Sequence, residues 1–318
     1  MMYKTKITML VVLNATLALI IIFGIAFDPA RTDKRAGLYS WLDSGEAGRI
    51  ERITINNQHN EIVLARLGED WFVSADGTKI PALRFLMDDF INALTQRGFY
   101  PSFSTSAESH ERLLLTEDTS MRIRAADETG QPLLDIHIGL PDITGRNIFL
   151  RRHGQDEVRS GLDVFSFFAS SSPLFWYNLM LFPQAETGQL DVTSVRRLAF
   201  YPPERGGEES RPFIFTRSAG AWDVNSDITL DMDRVDSFIQ NILHSSGDNI
   251  ISHKDLSDIG FNDGRIVLEF AHQNAATIEL WSDIDDRRYA IISGSGIVYS
   301  LPEHTWTRFF PDISDFAL

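Results

Sequence analysis

Apolar and polar residues alternate along most of this chain. Ile53 and Ile55 point one way while Arg52 and Thr54 point the other, the period-two signature of a half-buried strand. Asn56-Asn57-Gln58-His59-Asn60 then reads as a hairpin loop, Ile62-Val63-Leu64 as the return strand, and Gly68-Glu69-Asp70 as a turn into Trp71-Phe72-Val73. After Pro81 the period lengthens. Leu83, Leu86, Phe90, Ile91 and Leu94 fall near i, i+3, i+4 spacing, which predicts a helix over 82–95. Strands over 121–125, 133–138, 148–152 and 157–160 and a helix over 163–169 follow.

The same succession then recurs. Strands are expected over 195–201, 212–216 and 222–224, a helix over 231–243, strands over 265–271, 276–281, 289–293 and 296–300, and a closing helix over 302–310. Arg49-Ile50-Glu51-Arg52-Ile53-Thr54-Ile55 opens the first copy and Ser194-Val195-Arg196-Arg197-Leu198-Ala199-Phe200 the second. Each reaches a Trp-x-Val strand, with Trp71 and Trp222 as repeat-equivalent structural aromatics, and then a helix carrying Phe90 or Phe238. Gly154, Val158 and Ser160 keep a constant offset to Gly294, Val298 and Ser300. The fold expected is α+β: two tandem, internally duplicated modules of antiparallel sheet plus helices, after one N-terminal transmembrane helix.

That helix is expected from Ile7 to Phe27, an almost unbroken apolar run of 21 residues behind Lys4 and Lys6. About 20 helical residues cross a bilayer core, and the run exceeds a cleavable signal's apolar core. It reads as an uncleaved signal anchor with a cytoplasmic N-terminus, although Gly24-Ile25-Ala26 also fits a cleavage site. The expected organisation is a signal anchor over 1–28, a juxtamembrane linker over 29–48 with a short helix around 38–42, a first α+β module over 49–172, an apolar connection over 173–190 and a second α+β module over 191–318. The loop from Pro202 to Ser210 is rich in Pro, Gly and charge and reads as a mobile tip.

Composition narrows the function. The formal charge of −15, from 29 basic and 44 acidic residues, speaks against nucleic acid, whose phosphates need a Lys/Arg surface. With 43% hydrophobic residues the chain has enough apolar surface for packed cores. There is no Cys, which excludes disulfides, thiolate metal sites, a Cys nucleophile and acylation at a lipoprotein cysteine.

No catalytic, cofactor-binding or metal-binding set stands out. Asp231, Asp233 and Asp236 lack the Gly and distal Glu of a calcium loop, and Asp231 fits a helix N-cap. Asp283, Asp285 and Asp286 fall in an expected hairpin turn. His59, His110, His137, His153, His244, His253, His272 and His304 show no HExxH or other metal spacing; on strands, His137 and His272 read as exposed, hydrogen-bonded residues. Gly294-Ser295-Gly296 is a tight turn, and neither a P-loop nor G-x-G-x-x-G occurs. Trp71 and Trp222 fit half-buried strand aromatics better than a stacking platform. The candidate partner interface is Phe175, Trp176 and Tyr177, which would form an apolar patch if exposed and a plug at the module junction if buried.

Strand pairs, a Trp-x-Val strand, a helix, Ile138-Gly139 and the Arg146-Asn147-Ile148-Phe149-Leu150 strand leading to Glu157-Val158 together resemble a bacterial domain family of unknown function. Its members are usually anchored by one N-terminal transmembrane helix and often resemble companions of gliding-motility-type ABC transporters and their auxiliary subunits. The resemblance covers about residues 50 to 315, and the second copy departs from it where Trp281-Ser282 replaces Ile138-Gly139. It implies a non-enzymatic accessory or scaffold protein, without cofactors, held at the bacterial inner (cytoplasmic) membrane by a single pass. The bulk of the chain is then extracytoplasmic and the protein partners are transporter subunits. A solute- or glycan-binding module using the cleft between the repeats is the alternative.

Overall fold

The computed structural model describes residues 16–17, 37–75, 77–202, 212–251, 261–272, 274–282 and 287–318. The expected membrane anchor (save Thr16 and Leu17), the loop from Pro203 to Ser210, His253, and the turn carrying Asp283, Asp285 and Asp286 therefore lie outside the described residues. Among those described, no helix is long and apolar enough to cross a membrane. The fold is mixed α+β and mostly antiparallel sheet. Its residues group into two compact units: Met1–Glu69 with Arg84–Ser172, and Asp70–Leu83 with Pro173–Leu318.

In chain order the first part contributes β1 (Leu38–Tyr39), β2 (Arg52–Asn56) and β3 (Glu61–Leu67). The hairpin of β4 (Asp70–Ala75) and β5 (Thr78–Pro81) follows and groups with the second unit, a departure from the contiguous module over 49–172. The cause lies in the backbone around Pro81. The Pro81 carbonyl accepts from Asn178 N, Leu83 N donates to the Trp176 carbonyl, and Ala82 bridges Tyr177.

The first unit resumes with α1 (Arg84–Thr95), β6 (Gly98–Phe99), β7 (Ser102–Ser104), α2 (Glu108–Arg112), β8 (Met121–Ala126), β9 (Pro132–Pro141), β10 (Asn147–Arg152), β11 (Val158–Leu162) and α3 (Ser166–Ala169). Seven of its strands stand in the order β3-β2-β8-β9-β10-β11-β7. Alternation decides which face is covered: Ile53, Ile55, Ile123, Ala125, Leu134 and Ile136 are all buried. In α1, Leu86, Phe90 and Leu94 of the predicted stripe are buried together with Met87, while Ile91 and, just before the helix, Leu83 are half-buried; Phe90 meets Phe168 at 4.8 Å between ring centroids. The helix expected around 38–42 is instead β1, pairing with β6 through Leu38 and Phe99. A five-residue piece cannot hold a helix against the offer of a strand partner.

The second unit contains α4 (Pro173–Trp176), α5 (Pro183–Glu186), β12 (Val195–Tyr201), β13 (Phe213–Ser218), β14 (Ala221–Val224), α6 (Met232–Leu243), β15 (Asn249–Ile251), β16 (Phe261–Phe270), β17 (Ala276–Ser282), β18 (Arg288–Ile292), β19 (Val298–Ser300) and α7 (Glu303–Trp306). Its sheet runs β14-β13-β12-β16-β17-β18-β19-β15. Val235, Ile239, Ile242 and Leu243 of α6 join Leu198, Phe215, Ile266, Leu268 and Ile278 in one core.

Strand for strand, β13-β12-β16-β17-β18-β19-β15 repeats the order β3-β2-β8-β9-β10-β11-β7. The helices α1 and α6 each have 12 residues and occupy the same place in the succession. Gly154 and Gly294 sit in the corresponding final hairpin turns at φ of 74° and 79°, a conformation open to Gly and strained for other residues.

Candidate functional site

Of the two alternatives for the aromatic segment Phe175, Trp176 and Tyr177, exposed or buried, burial holds for two of its three side chains. Trp176 is fully buried, Tyr177 nearly so, and Phe175 half-buried with its ring edge-on to Trp176 at 5.4 Å. The backbone bonds around Pro81 hold this segment inward, and Leu181, Phe182, Ala185 and Leu190 of the same connection join the second unit's core. Of the repeat-equivalent tryptophans, Trp222 is buried; its Nε1 donates to Asp236 at 2.7 Å, and the Arg217 guanidinium lies 5.2 Å from the ring. Trp71 is half-buried on β4. The acids near α6 have structural work. Asp231 caps the helix by accepting from Asp233 N and Arg234 N, and Asp236 holds Trp222 and Arg217.

The polar constellation that sequence spacing misses lies in the first unit, around His137. In the β9–β10 register His137 faces Arg151, so Asp135 and His153 come opposite one another, two residues away on the same face. Asp135, His137 and His153 place one ligand-type atom each within 4.8 Å of one another. Their separation in sequence matches no metal motif because the register of a strand pair, not a helical turn, brings them together. The only signal in the sequence is strand alternation, which puts Asp135 and His137 on one face.

His137 is fully buried, against the exposed position expected for it. The cause is the segment after α2, which crosses this face. Arg151, itself buried, sends Nε and Nη2 to the Leu115 carbonyl at 3.2 and 2.7 Å and Nη1 to the Gln155 carbonyl at 3.2 Å. Leu140 N donates to Leu113 O at 3.0 Å, and Leu113, Leu115, Phe149 and Val158 close a small apolar cluster. Arg122 grips Asp135 with Nε on Oδ1 at 2.7 Å and Nη2 on Oδ2 at 2.8 Å, a fork-to-fork pair, and Arg124 adds a contact at 3.5 Å.

The tautomer of His137 follows from its neighbours. Ser120 Oγ has one proton, and at 2.6 Å from the Thr116 carbonyl, which can only accept, it donates there. The 2.7 Å contact between Ser120 Oγ and His137 Nδ1 therefore runs from Nδ1–H to Oγ. His137 Nε2 is left with a lone pair aimed at His153 Nδ1, 3.1 Å away. Glu117 Oε1 lies 3.5 Å from the same His153 nitrogen.

Burial first, then the Arg151 and Arg122 charges, push the His137 imidazolium down from its ordinary 6.5 to about 4; Asp135 opposes them and His153 adds to them. Folded, the ring stays neutral to about pH 4, while unfolded it takes a proton near 6.5. Stability from this residue is complete above 6.5 and is lost as pH falls from 6.5 through 4, by at most about 3 kcal/mol. We expect His137→Gln to flatten the fall in unfolding free energy between pH 7.5 and 4.5, measured by urea titration. Parallel pH slopes for the two proteins would rule this out.

Beside this cluster the first unit has a cavity of about 290 Å³, lined on one side by Asn57, Gln58 and His59 of the β2–β3 loop and on the other by Leu114, Met121 and Ile138. Asn57 is held in place by Nδ2 bonds to the carbonyls of Ala169 and Ser171 at 3.0 and 3.1 Å.

The chain matches no family model, no curated protein and no solved structure. The resemblance to transporter companions thus rests on the residues quoted for it.

Proposed function

We propose that this chain is a non-enzymatic accessory or scaffold protein of a bacterial envelope complex, tethered to the inner membrane by residues 7–27 and carrying a duplicated module on the extracytoplasmic side. On this reading its partners are subunits of an ABC-type transporter. The single observation carrying it is the pairing of two exposed apolar side chains, one of them the first strand residue after the apolar run. Leu38 and Phe99 are register partners on β1 and β6, and 57% and 51% of their surfaces are exposed. Exposed apolar side chains that pair with one another suit a protein contact. The shared strand order of the two sheets supports the duplication.

The test is purification of the tagged full-length chain in mild detergent with mass spectrometry of what accompanies it. We expect transporter subunits in stoichiometric amount, reduced at least several-fold by the double substitution Leu38→Ser with Phe99→Ser. Recovery of the chain alone would overturn the reading. The cavity beside the β2–β3 loop supports a second reading, a solute-binding module, because it sets amide and imidazole groups against an apolar wall. A retained small molecule that is lost on Asn57→Ala would favour it.

A further inference from the structure

We propose that His137 Nε2 and His153 Nδ1, with the carboxylates of Asp135 and Glu117, form a binding site for a divalent transition metal of the zinc class. The two ring nitrogens lie 3.1 Å apart and converge. Two nitrogens at about 2.0–2.1 Å from one tetrahedral ion are separated by only slightly more than this. Imidazole and carboxylate in combination select zinc-like borderline ions over calcium or magnesium, which take oxygen ligands.

The surroundings of His137 supply an independent observation. Metal-bound histidines characteristically donate their second ring N–H to a fixed acceptor, which holds both tautomer and orientation. Here Nδ1–H donates to Ser120 Oγ, which is locked by its own bond to Thr116 O. The ligand nitrogen is thereby pre-set, and it is buried and aimed at its partner. His153 is partly open, with 40% of its side chain exposed, and Glu117 is open at 65%, so an ion has a path in and a movable carboxylate to meet it. Binding requires the ring proton of His153 to sit on Nε2, so that Nδ1 presents its lone pair.

Charge works in both directions. Arg122, Arg124 and Arg151 repel a cation, which is why two imidazoles alone would hold it weakly and both carboxylates are needed. Asp135 uses one lone pair on each oxygen for Arg122 and keeps others.

The experiment is titration of the full-length chain in detergent with zinc, followed by calorimetry, and with cobalt(II), followed by visible absorption. One equivalent is expected, with the intense visible bands of four-coordinate cobalt. His153→Ala, which removes a partly exposed side chain, should weaken binding at least tenfold without unfolding the protein. Ser120→Ala should weaken it about 10–100-fold by freeing the His137 ring. Absence of uptake would overturn the proposal and leave a histidine–histidine hydrogen bond. Uptake unchanged by His153→Ala would also overturn it, since the ion would then sit elsewhere.

Discussion

Replacing Trp176 by alanine is expected to destabilise the protein by about 3–5 kcal/mol, the range for truncating a fully buried aromatic. The ring is wholly buried, the Trp176 carbonyl accepts from Leu83 N, and the two residues after it are tied to the strand end, Tyr177 by its bridge to Ala82 and Asn178 by its N–H to the Pro81 carbonyl. The segment cannot collapse freely into the space left behind, which places the cost toward the upper end of that range. Phe175→Ala, at a half-buried neighbour, is expected to cost far less. Chemical unfolding of both variants checks this. If Trp176→Ala fell within about 0.5 kcal/mol of the parent, the ring would be a surface group and the partner-interface reading of 175–177 would return. With the expected result, partner searches belong at Leu38 and Phe99.

Gly139→Ala is expected to cost about 1–3 kcal/mol, the ordinary penalty for overpacking. A Cβ at Gly139 would fall against the Leu113 carbonyl oxygen and then against Leu115, both far inside contact distance. The oxygen belongs to the backbone and also accepts from Leu140 N, so it cannot swing aside as a side-chain tip would. The whole stretch after α2 must lift, and that stretch covers His137 and anchors Arg151. The variant should therefore also open the His137 site, read as faster hydrogen exchange at Leu140 N and Leu115 N. Gly48→Ala is the control, since its Cβ would meet nothing and its φ is ordinary; it should be neutral. Equal stability of the two variants would show that the crossing segment adapts at no cost. The close approach of the Leu113 carbonyl also gives a physical reason for glycine in the Ile138-Gly139 pair, where the second copy has Trp281-Ser282.

Much of the fold was open to reading in the chain itself. Period-two alternation places β2, β3, β8 and β9 within about three residues at either end, because a buried face fixes their register and a slip would turn its apolar side chains to water. The helices α1 and α6 show the apolar stripe at helical spacing, and Asp231 announces the start of α6 as its cap. The matching positions of Gly154 and Gly294 are legible because a positive φ in a tight turn leaves few residue choices. Short pieces such as β1, β6 and β7 carry too few residues to show any period, and only their partners make them strands.

Sequence by itself thus determined the α+β class, the two successions of strands and helix, the apolar run before them and the absence of thiol chemistry. Tertiary structure alone decided three further things. It turned Trp176 and Tyr177 inward, since an apolar segment is a surface or a core according to what the neighbouring backbone offers it. It grouped the β4–β5 hairpin with Pro173–Leu318 and not with the residues next to it in sequence. It made a site of Asp135, His137 and His153, because register between β9 and β10 joins residues whose spacing along the chain means nothing, and the Leu113 to Leu115 crossing then buries His137 and Arg151 while His153 stays partly open. Periodicity records which face a side chain takes; which other side chains share that face, and what covers it, depends on pairings between strands that no local pattern encodes.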